Sequence, residues 1–125
     1  MKSEFSLLKE LLSHSDRRYR MIAARALIKT GGKRIEKTFM KLLKEEYRGI
    51  RSIAAWALGE LGSRDAIDEL IKCLSDRDSW VRRYSAIALA KLKAVEAIPE
   101  LEKMLEDPDR SVYLVAKWSI RSIKK

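Results

Sequence analysis

Shifted by 31 residues, the sequence falls into register with itself over four consecutive units, without a gap. Leu12, Leu43, Leu74 and Leu105 align, as do Leu8, Phe39, Leu70 and Leu101, and then Leu11, Leu42, Cys73 and Met104. In the second half of each unit, Tyr19, Ile50, Val81 and Val112 share one column and Ile22, Ile53, Tyr84 and Val115 the next. Ala23, Ala54, Ser85 and Ala116 stay small, and Leu27, Leu58, Leu89 and Ile120 close the set. A chain built this way is a stack of similar units, none able to bury its apolar side alone.

Spacing within a unit decides what the units are. Leu8, Leu11, Leu12 and Leu70, Cys73, Leu74 recur at i, i+3, i+4, and Ile50, Ile53, Ala54, Ala57, Leu58, Leu61 carry that stripe over three turns. Short polar links rich in helix starters separate the stripes: Ser13-His14-Ser15-Asp16, Ser75-Asp76-Arg77-Asp78-Ser79 and Glu106-Asp107-Pro108-Asp109. Gly31-Gly32 and Gly62 stand where a helix should end, and Pro99 falls in a first turn. No alternating strand pattern occurs. These signals predict an all-α chain of antiparallel helix pairs. First helices fall at roughly 4–13, 34–45, 65–75 and 96–106, second helices at roughly 17–30, 48–61, 79–92 and 110–123. With so little chain left for turns, the pairs should stack into a right-handed α-solenoid, an α-α superhelix, forming one domain over 1–125. Its units are 4–31, 32–62, 63–93 and 94–125. Ala54, Ala57 and Gly59 should let second helices approach closely.

Composition removes other possibilities. A single Cys excludes a disulfide scaffold. No apolar run reaches the roughly 18 residues that a membrane span requires, and the first ten residues carry acids where a signal peptide needs an apolar stretch. A soluble, cytoplasmic protein with no membrane contact is expected. The chain has neither Asn nor Gln although 36% of its residues are charged. That bias matches a thermophile's avoidance of labile amides, or a designed sequence.

Ile50-Arg51-Ser52-Ile53-Ala54-Ala55-Trp56-Ala57-Leu58-Gly59-Glu60-Leu61-Gly62, followed by Ala66-Ile67-Asp68-Glu69-Leu70-Ile71, resembles the HEAT-like repeat of the phycobilisome (bilin) lyase type. Asp76-Arg77-Asp78-Ser79-Trp80-Val81-Arg82-Arg83 repeats the signature. The resemblance spans the chain and implies the fold, but such repeats serve scaffolds, bilin lyases, a di-iron hydroxylase and DNA glycosylases alike. It further implies a structural ladder in which a loop carboxylate bonds the Arg opening a second helix. Glu45 with Arg51 and Asp76 with Arg82 have that spacing, whereas the outer units set His14 against Arg20 and Asp107 against Tyr113.

Little here suggests catalysis. His14 is the lone imidazole, and a metal site needs several converging ligands. The hydroxylase relatives implied by the resemblance use repeated His-Glu pairs, which this chain lacks. Cys73 sits in an inward column and reads as a buried, inert thiol. Neither a phosphate loop nor a Ser/His/Asp set occurs. No enzyme activity and no cofactor are expected.

Charge is more telling. The first-helix segments together carry −3 and the second-helix segments +12, which make up the net +9. At about 100° per residue, the columns facing away from the core stripe are Met21, Ser52, Arg83, Leu114; Arg25, Trp56, Ile87, Trp118; and Ile28, Gly59, Ala90, Arg121. They are mostly apolar, include Arg, and contain no acid. An apolar strip rimmed by cations reads as a recognition surface. Met21, Arg25, Trp56, Arg83, Ile87, Leu114, Trp118 and Arg121 are the candidate groove, on the concave side where the resemblance puts second helices. Trp80 is expected only to seal a turn. The expected role is a protein-interaction scaffold or adaptor taking an acidic protein or amphipathic helix segment. A nucleic-acid-binding module is the alternative, and a bilin-lyase-like subunit a second. The last helix is apolar on more than one side, so an end-to-end homodimer through the fourth unit is also possible on sequence grounds.

Overall fold

The computed structural model describes the backbone of residues 4–125 and the side chains from Ser6 onward. Met1, Lys2 and Ser3, read above for a leader, lie outside the described residues. The described residues form helices and turns with no strand: α1 Glu4–Leu11, α2 Arg17–Thr30, α3 Lys33–Leu42, α4 Arg48–Glu60, α5 Ile67–Cys73, α6 Ser79–Lys91, α7 Ile98–Lys103 and α8 Arg110–Lys124. The 3-10 turns Arg64–Ala66 and Val95–Ala97 lead into α5 and α7, and Met104–Glu106 extends α7.

Helix boundaries follow local chemistry. Asp16, Asp78 and Asp109 share one column and cap α2, α6 and α8, each carboxylate accepting first-turn N–H groups. Tyr47 occupies that column before α4, which therefore has no side-chain cap. At the other ends the chain turns through positive φ at Gly31 (65°), Gly62 (66°) and, in the same column, Lys93 (53°). Glycine takes that conformation freely and lysine does not. Pro99 lies at the start of α7, where no helical N–H is lost.

Each first helix packs on its own second helix, and α2, α4, α6 and α8 pack against one another in sequence. Leu12, Leu27, Phe39, Leu58, Leu70, Leu89 and Leu101, one or two from each unit, are fully buried between the layers. Gly59 permits the closest approach: a Cβ there would stand 2.8 Å from Ala88 Cα. Two expectations fail in the first unit. Tyr19 and Ile22 are exposed although Ile50, Ile53, Val81 and Val112 in the same columns are buried. Among the described residues no second helix precedes α2 to cover those columns.

Candidate binding face

The ladder is present but wired between units. Arg51 Nε and Nη2 donate to the two carboxylate oxygens of Asp76 at 2.9 and 3.0 Å, while Nη1 donates to the Glu45 and Glu46 carbonyls at 2.8 and 2.6 Å. Arg82 repeats this with the Asp107 carboxylate at 3.0 and 3.4 Å and the Asp76 carbonyl at 2.8 Å. Two corrections follow. Glu45 joins through its backbone carbonyl, its side chain being exposed. Asp107 is a full member rather than a departure facing Tyr113. An Arg fork satisfies carbonyls on one side and a carboxylate on the other. Six residues back lies its own loop's carbonyl, and twenty-five ahead the next loop's acid.

At the N-terminal end the pattern changes. Arg20 donates through Nη1 to the His14 and Ser15 carbonyls at 2.8 and 3.0 Å and to the Tyr47 hydroxyl at 3.1 Å. Its guanidinium lies 5.4 Å from the centre of the Tyr47 ring. Gly49 makes room, because a Cβ there would strike the Tyr47 ring at 2.8 Å and Arg20 Cζ at 3.0 Å. His14 serves locally, its Nδ1 accepting the Asp16 N–H at 2.9 Å.

The predicted groove residues are distributed unevenly. Arg25, Leu114, Trp118 and Arg121 are exposed; Met21, Trp56, Arg83 and Ile87 are half-buried. Gly59 is buried in the α4–α6 seam and Ala90 is buried as well, so neither lies on an open face. Neighbouring helices press on an α-helix from two sides, so a column pointing away from the first-helix stripe is still covered.

Trp80, assigned to a turn, is instead 48% exposed and central to this face. Its ring stacks on Tyr84 at 5.8 Å and 21°, and the Arg83 guanidinium lies 4.1 Å from its centre. Arg17 reaches over from α2, sits 5.7 Å from both rings and donates to the Tyr84 hydroxyl. Helices twice removed in a flat layer are about 16–20 Å apart, from 8–10 Å between neighbours. The long side chains of Arg17 and Tyr84 bridge that span across α4. On α8, Arg110 and Lys117 each lie 5.9 Å from the Tyr113 ring, a separate cluster, since Tyr113 shares the column of Arg20, Arg51 and Arg82 and Lys117 that of the buried Ala24, Ala55 and Ala86. Around Trp80 and Tyr84 the face thus sets two arginines against two aromatic rings. The signal for Trp80 was available: Trp80, Arg83 and Tyr84 stand at i, i+3 and i+4.

Other candidate chemistry is quiet. Burial pushes the Cys73 thiol up to about 11, so it stays protonated and a poor nucleophile at neutral pH. Among the described residues, no three His, Cys, Asp or Glu side chains are placed to hold a metal ion. None of the described helices is long and apolar enough to cross a membrane.

The family model for HEAT repeats matches residues 4–65 and 35–121. The fold is similar to the complex of CpcE and CpcF of phycocyanin lyase from Nostoc sp. PCC7120, at 28% identity and a TM-score of 0.71, over 96% of this chain and 54% of that one. It is similar to an engineered protein at 27% identity and a TM-score of 0.61, over 96% and 62%. Human deoxyhypusine hydroxylase shares the fold at 22% identity and a TM-score of 0.76, over 98% of this chain and 44% of that one. The chain thus spans about half the length of these proteins. No curated protein matches it.

Proposed function

The chain belongs to the HEAT repeat family, and from that premise we propose that it is a non-enzymatic interaction module receiving an acidic protein segment on its second-helix face. The observation that carries this reading is the cation–aromatic array of Arg17, Trp80, Arg83 and Tyr84. Arginine and tryptophan anchors dominate protein interfaces because they combine large contact area with charge. Exposed Leu114 and Trp118 extend the strip and suit an amphipathic helix. The CpcE–CpcF structure, itself a complex of two chains, supports a protein partner.

Titration with acidic amphipathic peptides of about 20 residues, long enough to cover 30 Å as a helix, tests the reading. Trp80→Ala and Trp118→Ala should each cost at least about 2 kcal/mol of affinity if they are anchors. Arg83→Glu should weaken binding further by charge reversal, and Lys72→Glu on the opposite layer should leave it unchanged. Equal losses from both layers would reduce the attraction to diffuse charge.

A second reading is favoured by the exposure of Trp80 and Trp118 beside arginines, which also suits stacking of nucleic-acid bases. Tight, steeply salt-dependent binding of random single-stranded DNA or RNA would select it. The same exposed Leu114 and Trp118 could pair two copies end to end. A molar mass that doubles with concentration and reverts in Trp118→Glu would establish that.

A further inference from the structure

In both complete rungs of the ladder, the Nε/Nη2 edge of the arginine is filled by a carboxylate. The same carboxylate also accepts the N–H two residues on, that of Asp78 or Asp109, at 2.9 Å. The 31-residue register assigns Arg20 the corresponding acid at position 45 and the corresponding N–H at Tyr47. Glu45 instead points to solvent. Arg20 is only 8% exposed, its hydrogen bonds all run through Nη1, and its buried Nε has no partner. A buried guanidinium with an unfilled edge is costly, and an anion relieves that cost.

Arg20 forms part of the wall of an open cleft of about 240 Å³, which Arg17, Arg48, Tyr47, Ser52 and Trp80 also line. Its single acid, Asp78, is already engaged: it caps α6 and lies 3.7 Å from Arg48. The uncapped start of α4 opens on the same cleft at Gly49, where the carboxylates of Asp16, Asp78 and Asp109 stand in the other units. Cations, the uncapped start of a helix and a buried guanidinium with an unpartnered Nε thus converge where the repeat pattern omits its own carboxylates.

We propose that this cleft is a carboxylate-binding site, in which the side chain of an Asp or Glu from a partner protein completes the missing rung on Arg20. The proposal rests on the protein-partner reading above and names the group that is recognised. A planar carboxylate fits because two sister arginines already hold one bidentately. Arg17 and the first N–H groups of α4 would add further charge-assisted donors.

The test follows the Arg20 Nε–H resonance of the full chain at low ionic strength during titration with a capped tetra-aspartate peptide. Acetate, inorganic phosphate and the capped tetra-asparagine peptide serve as comparisons. The Nε–H signal should move with the aspartate peptide and with acetate, and stay still with the asparagine peptide. Glu45→Asp, which restores the shorter acid present at positions 76 and 107, should fill the edge and weaken the response about tenfold or more, the worth of one charge-assisted pair. Glu45→Ala should leave the response unchanged, and both variants should melt like the parent or above it. An Arg20 signal that answers phosphate but not acetate overturns the carboxylate assignment. A signal unmoved while Trp118 responds to the peptide overturns the site and leaves the wider face standing. A silent Trp118 with a moving Arg20 sinks the wider face alone.

Discussion

The seam between α4 and α6 and the seam between α2 and α4 are built from the same 31-residue pattern and differ in kind. In the first, Gly59 lets α4 settle against Ala88, and the Arg51–Asp76 pair closes the loop end with both side chains buried. In the second, a tyrosine folds back over a glycine, the arginine lacks its carboxylate, and a cleft remains. Among the positions that differ, two bear on the rung: Glu45 where its sisters have Asp, and Tyr47 where they have the capping Asp. One extra methylene and one lost cap turn a structural rung into an open set of donors.

The sharpest way to break this contrast is to empty the complete rung. Asp76→Ala strands the buried Arg51 and should cost about 3–5 kcal/mol in urea unfolding. Glu45→Ala should stay within about 0.5 kcal/mol, as an exposed side chain would. Equal losses would mean that both seams close alike. Next in size, Gly59→Val should cost about 1–3 kcal/mol, since its Cβ meets Ala88 backbone that cannot step aside. Gly49→Ala should cost less in the same melts, because the atoms it meets belong to the Tyr47 ring and the end of Arg20, which can swing away.

A smaller effect should come from the turn after α6. Lys93→Gly should gain up to about 1 kcal/mol by removing a left-handed lysine, less whatever its Nζ bond to the Ser122 carbonyl contributes. The smallest concerns Asp16. Hydrogen bonds from the Arg18 side chain and backbone hold its carboxyl at about 2, below its ordinary 3.8. The folded state therefore binds that proton less readily than the unfolded chain. Its stabilising contribution is complete above about pH 4 and fades as pH falls toward 2. Acid titration of the helical signal should lose that component in Asp16→Asn, while changes at uncapped α4 should leave it intact.

The helices were legible because a repeated stripe averages away local noise: four Leu columns locate four units even where one holds Cys73 or Met104. The ladder was half legible. The spacing of six between Glu45 and Arg51 is real, but it marks a carbonyl, and only the three-dimensional stacking brings Asp76 and Asp107 to the arginines. The groove suffered from one-helix geometry, which cannot register the neighbours that cover Gly59 and Ala90. Trp80 was undervalued because its column holds Arg18, Gly49 and Ser111, which form no pattern. Its contact with Arg17 comes from a residue two units away. Tyr19 and Ile22 show the limit of any repeat argument, since among the described residues no preceding helix pair covers these columns in the first unit.

The reach of Arg17 to Tyr84 also bears on how the array comes apart. A row of units joined only to immediate neighbours unravels from its ends, each departure costing one interface. The first unit here is tied to the third as well as the second. Opening of the first unit must therefore disturb a contact of the third. That couples the first unit, with its exposed Tyr19 and Ile22, to the third, so the array melts more nearly as one body than a chain of independent links.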